Sequence, residues 1–154
     1  MPAIGVFDVV EHIEDDLAFL RHLWELLEPS GMLYITVPAY NFLWSQHDVT
    51  AGHCRRYTCS GLSNQLASVG FHICFGTYFF RVLPITVFLL RSLPFRLGLR
   101  SAVAAPENAD KAHGTKEGQT VRVLRKLLAS EKNHIAEKRR MRFGGSCLIA
   151  AQKV

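Results

Sequence analysis

Short apolar runs separated by a helical repeat predict an α/β fold. Residues 4–10 read IGVFDVV, and Asp8 is their one polar side chain, which is typical of a strand buried on both faces. Leucines recur every three or four positions from Leu17 to Leu27, which predicts an amphipathic helix, and residues 32–38 form a second apolar run. Strand, helix and strand in this order predict a βαβ unit with parallel strands.

The second half of the chain is predicted to hold two helices, two strands and a loop. Thr58 is typical of a helix N-cap, and Gly70 is typical of the stop that follows the helix. The other predicted elements are a strand over 71–80, a polar mobile loop over 104–118, a basic helix over 119–142 and a last strand over 146–154. We expect all of residues 1–154 to form one domain.

The distribution of charge and the cysteine content indicate which partners and which cellular location to expect. The net charge is +5, and Lys and Arg outnumber the acids only after residue 64. This basic half would suit an anionic membrane surface or a phosphorylated ligand, although a solvated helix face would give the same charge. The apolar run 82–90 is too short to span a bilayer. With four cysteines, no CxxC pair and no secretory leader, we expect a cytoplasmic location, peripheral to the membrane at most.

A dense polar loop follows the second predicted strand. Residues 44–58 read WSQHDVTAGHCRRYT, and their histidines, aspartate and arginines are groups that move protons, bind metals or hold anions. Glu11 and His12 follow the first predicted strand in the same way. In open α/β sheets, ligands bind beyond the carboxyl ends of the parallel strands. Both polar clusters are therefore expected at one ligand-binding edge.

The order of these segments resembles a known family. FDVVEHIEDD, LLEPSGMLYITVPAY, WSQHDVTAGHCRRYT and SVGF follow one another as in the second half of class I S-adenosylmethionine-dependent methyltransferases. The resemblance covers residues 4–80 and extends to 119–154 through FGGSCLIAAQKV. It implies a partial Rossmann-like methyltransferase fold, with strands four to seven of the family's sheet and an antiparallel last strand pair. The family's N-terminal half, with its glycine-rich cofactor loop, would precede residue 4, so we expect a truncated domain.

The resemblance also implies a reaction and residue roles. The reaction is methyl transfer from S-adenosylmethionine to a small or lipid-linked acceptor, as in ubiquinone biosynthesis and related small-molecule methyltransferases. Cofactor binding would fall to Asp8, Glu11 and His12, and proton transfer to His12, His47 and His53. The acceptor side would comprise Tyr40, Trp44, Asp48, Arg55, Arg56 and Tyr57. Histidine suits proton transfer because its ordinary pKa lies near neutrality.

Structural roles compete with these assignments. Glu11 and His12 would also cap the helix that follows them, and Asp8, inside an apolar strand, would need a buried hydrogen-bond partner. Arg55 and Arg56 would either clamp an anionic acceptor or pair with a nearby acid. The acids within reach in this interpretation are Asp15, Asp16 and Asp48. Because neighbouring side chains diverge, we expect one arginine in each role, while Tyr40 and Trp44 would otherwise be core residues.

A metal site is a further alternative for the first cluster. Some small-RNA 3′-end methyltransferases and ubiquinone-pathway O-methyltransferases hold a divalent ion with a similar Glu-x-x-Glu-His segment and a later histidine. The matching residues here are Asp8, Glu11, His12 and His53. Asp8 departs from that pattern because it is shorter than glutamate, so the presence of a metal stays open at this point.

Two functions other than catalysis also remain open. A truncated domain could persist as a non-catalytic interaction module. Alternatively, residues 78–100 and 119–142 could bind an anionic membrane surface. Nucleic acid is a third anionic partner that the basic half would suit, but we do not expect it. Residues 4–10 contain no lysine or proline, and without the family's first strand beside them they would form an unpaired edge. We therefore expect the chain either to self-associate through residues 4–10 or to be poorly stable and to aggregate.

Overall fold

The computed structural model describes residues 1–81, 84–85, 88–98 and 119–154. Four strands form one sheet in the spatial order β1–β2–β4–β3. β1 and β2 are parallel, and β4 is antiparallel to both of its neighbours. The strands are β1 (Ala3–Phe7), β2 (Met32–Pro38), β3 (Phe71–Phe79) and β4 (Ser146–Lys153). The predicted α/β class, the parallel first pair and the antiparallel end of the sheet are confirmed.

The helices begin and end at recognisable caps. They are α1 (Asp16–Leu26), α2 (Gln46–Ala51), α3 (Cys59–Val69), α4 (Leu93–Arg96) and α5 (Gln119–Ala136). The N-cap Thr58 accepts a hydrogen bond from the Gly61 amide at 3.0 Å. Gly70 ends α3 with φ +108°, a conformation that favours glycine. Both predicted caps of α3 are confirmed.

One face of the sheet forms the core with α1 and α3. Side chains alternate along a strand, so every second residue of β2 points toward these helices. The fully buried members of this core include Leu20, Leu33, Val37, Leu62, Leu66 and Ile149. The opposite face of the sheet is partly open, with Tyr34 40% exposed.

β1 is an edge strand, as predicted, but it is shorter than predicted. It pairs with β2, and no other described residue pairs with it. The prediction of a strand through residue 10, buried on both faces, is wrong. Val6 is buried, whereas Phe7 is 61% exposed, and the chain turns at Asp8, whose φ is +53°. A turn there directs the following residues over the end of the sheet rather than along it.

The basic helix ends earlier than predicted. α5 stops at Ala136 because Lys138 takes a left-handed conformation, with φ +54°, and the Arg139 amide donates to the His134 carbonyl at 2.8 Å. The predicted loop over 104–118 lies outside the described residues. Within the described segments, no helix has both the length and the apolar content that crossing a membrane requires.

Candidate functional site

A cavity of about 320 Å³ opens at the carboxyl ends of β1 and β2. A 3₁₀ helix (Val10–His12) follows β1, and a second one (Asn41–Leu43) leads from β2 to α2. These turns bring the two polar clusters to the same cavity. The lining side chains that carry acid–base chemistry or charge are Asp8, Glu11, His12, His47, His53, Arg56 and Arg91.

Glu11 is buried beside this cavity. It is 1% exposed, and its Oε2 has no hydrogen-bond partner in the described structure. Its backbone carbonyl accepts a hydrogen bond from the Cys54 amide at 2.7 Å, which ties the first cluster to the loop. Burial raises the pKa of the Glu11 carboxyl above its ordinary value. A buried carboxylate oxygen without a hydrogen-bond partner is costly, so Glu11 Oε2 is a candidate ligand for a cation or a polar substrate atom.

His12 and His53 meet over Glu11. Their ring centroids are 4.8 Å apart, and one ring edge faces the other ring. One possible ligand atom from each of Glu11, His12 and His53 lies within 4.8 Å of the other two. These three residues can therefore converge on one small ion or one reacting group. Asp8, the fourth residue of the predicted metal set, does not belong to this cluster.

The buried side chain of Asp48 accepts hydrogen bonds from several groups of the polar loop. It is fully buried and accepts hydrogen bonds from Arg56 Nε at 2.7 Å, from His53 Nδ1 at 2.9 Å and from the Ser45 amide at 2.8 Å. Burial raises the carboxyl pKa, but the bonds from Arg56 and His53 outweigh it, and the pKa of Asp48 is lowered. With its Nδ1–H donated to Asp48, the neutral His53 ring keeps a lone pair on Nε2.

A second buried acid, Asp16, holds the other arginine. Arg55 Nη1 lies 2.7 Å from Asp16 Oδ2, and the Tyr57 hydroxyl donates to the same oxygen at 2.9 Å. Burial raises the carboxyl pKa of Asp16, yet the bonds from Arg55 and Tyr57 lower it overall. Each of Arg55 and Arg56 thus pairs with a buried acid. Arg56 also lines the cavity, so the expected division into one pairing arginine and one that holds an anionic acceptor stays a prediction.

The structure separates the predicted acceptor-side residues into two groups. Arg56 lines the cavity, whereas Tyr40, Trp44, Asp48, Arg55 and Tyr57 do not. Tyr40 has φ +58° and stacks on Tyr78 with centroids 5.0 Å apart. Of the catalytic predictions, His12, His47 and His53 all line the cavity.

Asp8 and Asp48 show where interpretation of the sequence failed. Asp8 was expected inside a strand, but it is exposed after β1, and Thr36 Oγ1 donates to it at 3.3 Å. Asp48 was assigned to the acceptor side, with pairing to an arginine as the alternative, and the structure shows that pairing with Arg56. The signal was present in the sequence, since Ser45-x-x-Asp48 has the spacing of a capping box, and the structure has that box at the start of α2.

Comparisons with known proteins identify the fold. No model of a protein family matches the sequence, and no curated protein matches it. Solved structures do match over 99% of the chain. A putative methyltransferase from Haloferax volcanii, in complex with the Trm112 methyltransferase activator, is 12% identical, with a TM-score of 0.51. Phosphoethanolamine N-methyltransferase 2 from Haemonchus contortus is 16% identical, with a TM-score of 0.52.

A further match agrees with these two. An S-adenosylmethionine-dependent methyltransferase from Archaeoglobus fulgidus is 16% identical, with a TM-score of 0.51. The chain spans 53%, 33% and 59% of the lengths of the three structures, respectively. At these identities the likeness concerns the fold alone. The chain therefore has a partial Rossmann-like fold of the class I S-adenosylmethionine-dependent methyltransferase type.

Proposed function

We propose that this chain carries the acceptor side of an S-adenosylmethionine-dependent methyl transfer. The observation that supports this most directly is the Asp48–His53 pair, whose histidine is held through Nδ1 and lines the cavity at the carboxyl ends of the parallel strands. In open α/β folds this edge holds the ligand. The three solved structures compared above are methyltransferases or a putative methyltransferase, and one was solved with phosphomonomethylethanolamine and S-adenosylhomocysteine.

His53 is suited to act as the general base. An acceptor hydroxyl or amine would attack the methyl carbon of the sulfonium. The new bond would form as the carbon–sulfur bond breaks, and the electron pair of that bond would stay on sulfur. The acceptor proton passes to His53 Nε2. Asp48 holds the ring by its Nδ1–H at 2.9 Å and stabilises the imidazolium that results. His12, whose ring lies 4.8 Å from that of His53, borders the transferred methyl group in this proposal.

The cofactor assignment rests on position and on the fold. S-adenosylmethionine supplies the methyl group, and the protein contributes alignment and a dry pocket. Asp8, Glu11 and His12 lie at the end of β1, where the cofactor would border them. We propose a small or lipid-linked acceptor, which would enter past Arg56 and His47.

A divalent cation fits the same cluster and is a second candidate chemistry. Glu11 would supply the unpartnered Oε2, and His12 and His53 would each supply a ring nitrogen. The bond from His53 Nδ1 to Asp48 is the outer contact that orients metal-binding histidines. A cation bound there would lower the pKa of an acceptor hydroxyl, and His47 would remain as the base. Chelation separates the two forms of the proposal, because only the metal form loses activity with EDTA.

Calorimetry with S-adenosylmethionine tests the proposal. We expect saturable binding to the full chain, weakened by His12→Ala and unchanged by His22→Ala, which alters an exposed histidine of α1. Absence of heat up to millimolar cofactor would instead favour a non-catalytic interaction module. In that event, the Asp48 and Asp16 networks would serve only to hold the loop.

A further inference from the structure

Residues 84–85 and 88–98, taken here as one segment, present an apolar stripe to the outside. Four large side chains recur at every fourth position and are 62%, 55%, 37% and 64% exposed. In order, they are Ile85, Leu89, Leu93 and Leu97. The residues before three of them face the other way, since Pro84 and Ser92 are buried and Phe88 is half-buried. The segment is therefore amphipathic, with its apolar stripe pointing outward instead of into the core.

This stripe is fixed to the wall of the cavity. A π-helical turn (Phe88–Ser92) leads directly into α4. The Ser92 hydroxyl donates to the Leu43 carbonyl at 2.8 Å, and the Phe88 ring lies 5.9 Å from that of Phe42. Leu43 itself lines the cavity, as do Pro84 and Arg91 of the segment. The stripe and the mouth of the cavity are thus parts of one local structure.

The sequence around the stripe is positively charged. Arg81, Arg91 and Arg96 are exposed, and the sequence from Phe71 to Pro106 contains no aspartate or glutamate. Exposed leucines beside arginines match the boundary between anionic headgroups and acyl chains. A second copy of the chain fits less well. A two-fold contact would bring the arginines of one stripe against those of the other, with no acid in the segment to compensate.

We propose that this segment docks on an anionic phospholipid surface through its described residues, with Ile85, Leu89, Leu93 and Leu97 entering the headgroup boundary. The segment lies on the surface and does not span the bilayer. Docking would bring the cavity mouth, through Arg91, to the level of the lipid headgroups. Where the proposed methyl transfer also holds, the acceptor is then a molecule seated in or tethered to the membrane.

Vesicle sedimentation tests the docking without using the cofactor, so its outcome is independent of the proposed reaction. The full chain is mixed with vesicles of equal parts phosphatidylglycerol and phosphatidylcholine, and with vesicles of phosphatidylcholine alone. We expect binding to the anionic vesicles that weakens as salt is raised. Leu97→Glu should weaken it by about tenfold or more, because a charge replaces an inserted side chain. Arg96→Ser should weaken it by about fivefold on anionic vesicles only.

Leu26→Glu is the matched control, because Leu26 is 44% exposed at the end of α1, away from the stripe. The Leu26→Glu variant should bind anionic vesicles as the unaltered chain does. If Leu97→Glu misfolds, Ile85→Glu repeats the comparison at the other end of the stripe. Docking is refuted if the chain ignores anionic vesicles, or if Leu97→Glu and Leu26→Glu bind equally well. It is also refuted if sedimentation velocity shows a dimer that Leu97→Glu dissociates while vesicles capture nothing.

Discussion

Replacing Asp48 by asparagine should be among the most damaging single changes in the loop. The substitution keeps the shape of the side chain but removes the charge that Arg56 and His53 approach. Arg56 is itself 9% exposed, and its Nη1 donates to the Ala39 carbonyl at 3.1 Å. The variant therefore leaves a guanidinium inside the protein without a counter-ion.

The expected magnitude follows from burial. Breaking a buried ion pair by removing one partner costs about 3–5 kcal/mol of the free energy of unfolding. The control is Glu137→Gln, which removes the partner of Arg139 at 2.8 Å, where both side chains are more than half exposed. An exposed pair contributes about 1 kcal/mol or less. Asp48→Asn and Glu137→Gln each remove the acid of one arginine–carboxylate pair, and the two pairs differ in how deeply they are buried.

Urea unfolding followed by tryptophan fluorescence measures both free energies. The folded pKa of Asp48 is lowered, so its stabilising effect is present above the ordinary aspartate pKa of about 4 and is lost as pH falls through the folded value. The difference between the unaltered chain and Asp48→Asn should therefore shrink in acid. A loss at neutral pH no larger than that of Glu137→Gln would refute the account of Asp48 as the anchor of the loop.

Three further predictions concern other parts of the molecule. Glu11→Gln should raise the free energy of unfolding by about 1–2 kcal/mol at neutral pH, because burial disfavours the ionised carboxylate and its Oε2 has no hydrogen-bond partner. Because the folded pKa of Glu11 is raised, the carboxyl is neutral in the folded protein at low pH, and the gain in the free energy of unfolding should vanish there. Urea unfolding measures this, and an effect of Glu11→Gln that does not change with pH would contradict the prediction. Gly144→Ala should lower the melting temperature more than Gly76→Ala, since a Cβ at residue 144 would meet the Phe79 carbonyl oxygen at 2.2 Å, against 3.9 Å to Ile149 for residue 76. Self-association through residues 4–10 should appear in sedimentation velocity as a dimer that Phe7→Lys disrupts, and identical monomers for both chains would exclude it.

The spacing of apolar residues and the helix-capping residues in the sequence were enough to predict the order and type of the main helices and strands. The leucine repeat of α1 and the caps Thr58 and Gly70 of α3 act through local backbone preferences, which a sequence displays directly. The meeting of Glu11 and His12 with the 44–58 loop was also predictable. It depends on parallel strands ending at one edge of the sheet, which the βαβ order already implies.

The internal arrangement of the site was not predictable in this way. The turn at Asp8 interrupts an apolar run that looks continuous, so a pattern of hydrophobic residues could not show where β1 ends. Which acid pairs with which arginine depends on side-chain directions in an irregular loop. Arg55 reaches Asp16 across 39 residues of sequence, and no local pattern encodes that distance.

Histidine resonances in the nuclear magnetic resonance spectrum provide the most direct test of the central claim, that the cavity beside His12 and His53 is a cofactor-binding methyl-transfer site. The chain has seven histidines, and His22 and His72 are exposed on other elements. During a titration with S-adenosylmethionine, the account predicts that the ring signals of His12 and His53 shift together and saturate, while those of His22 and His72 stay unchanged. Ring signals of His12 and His53 that do not move at millimolar cofactor would contradict it.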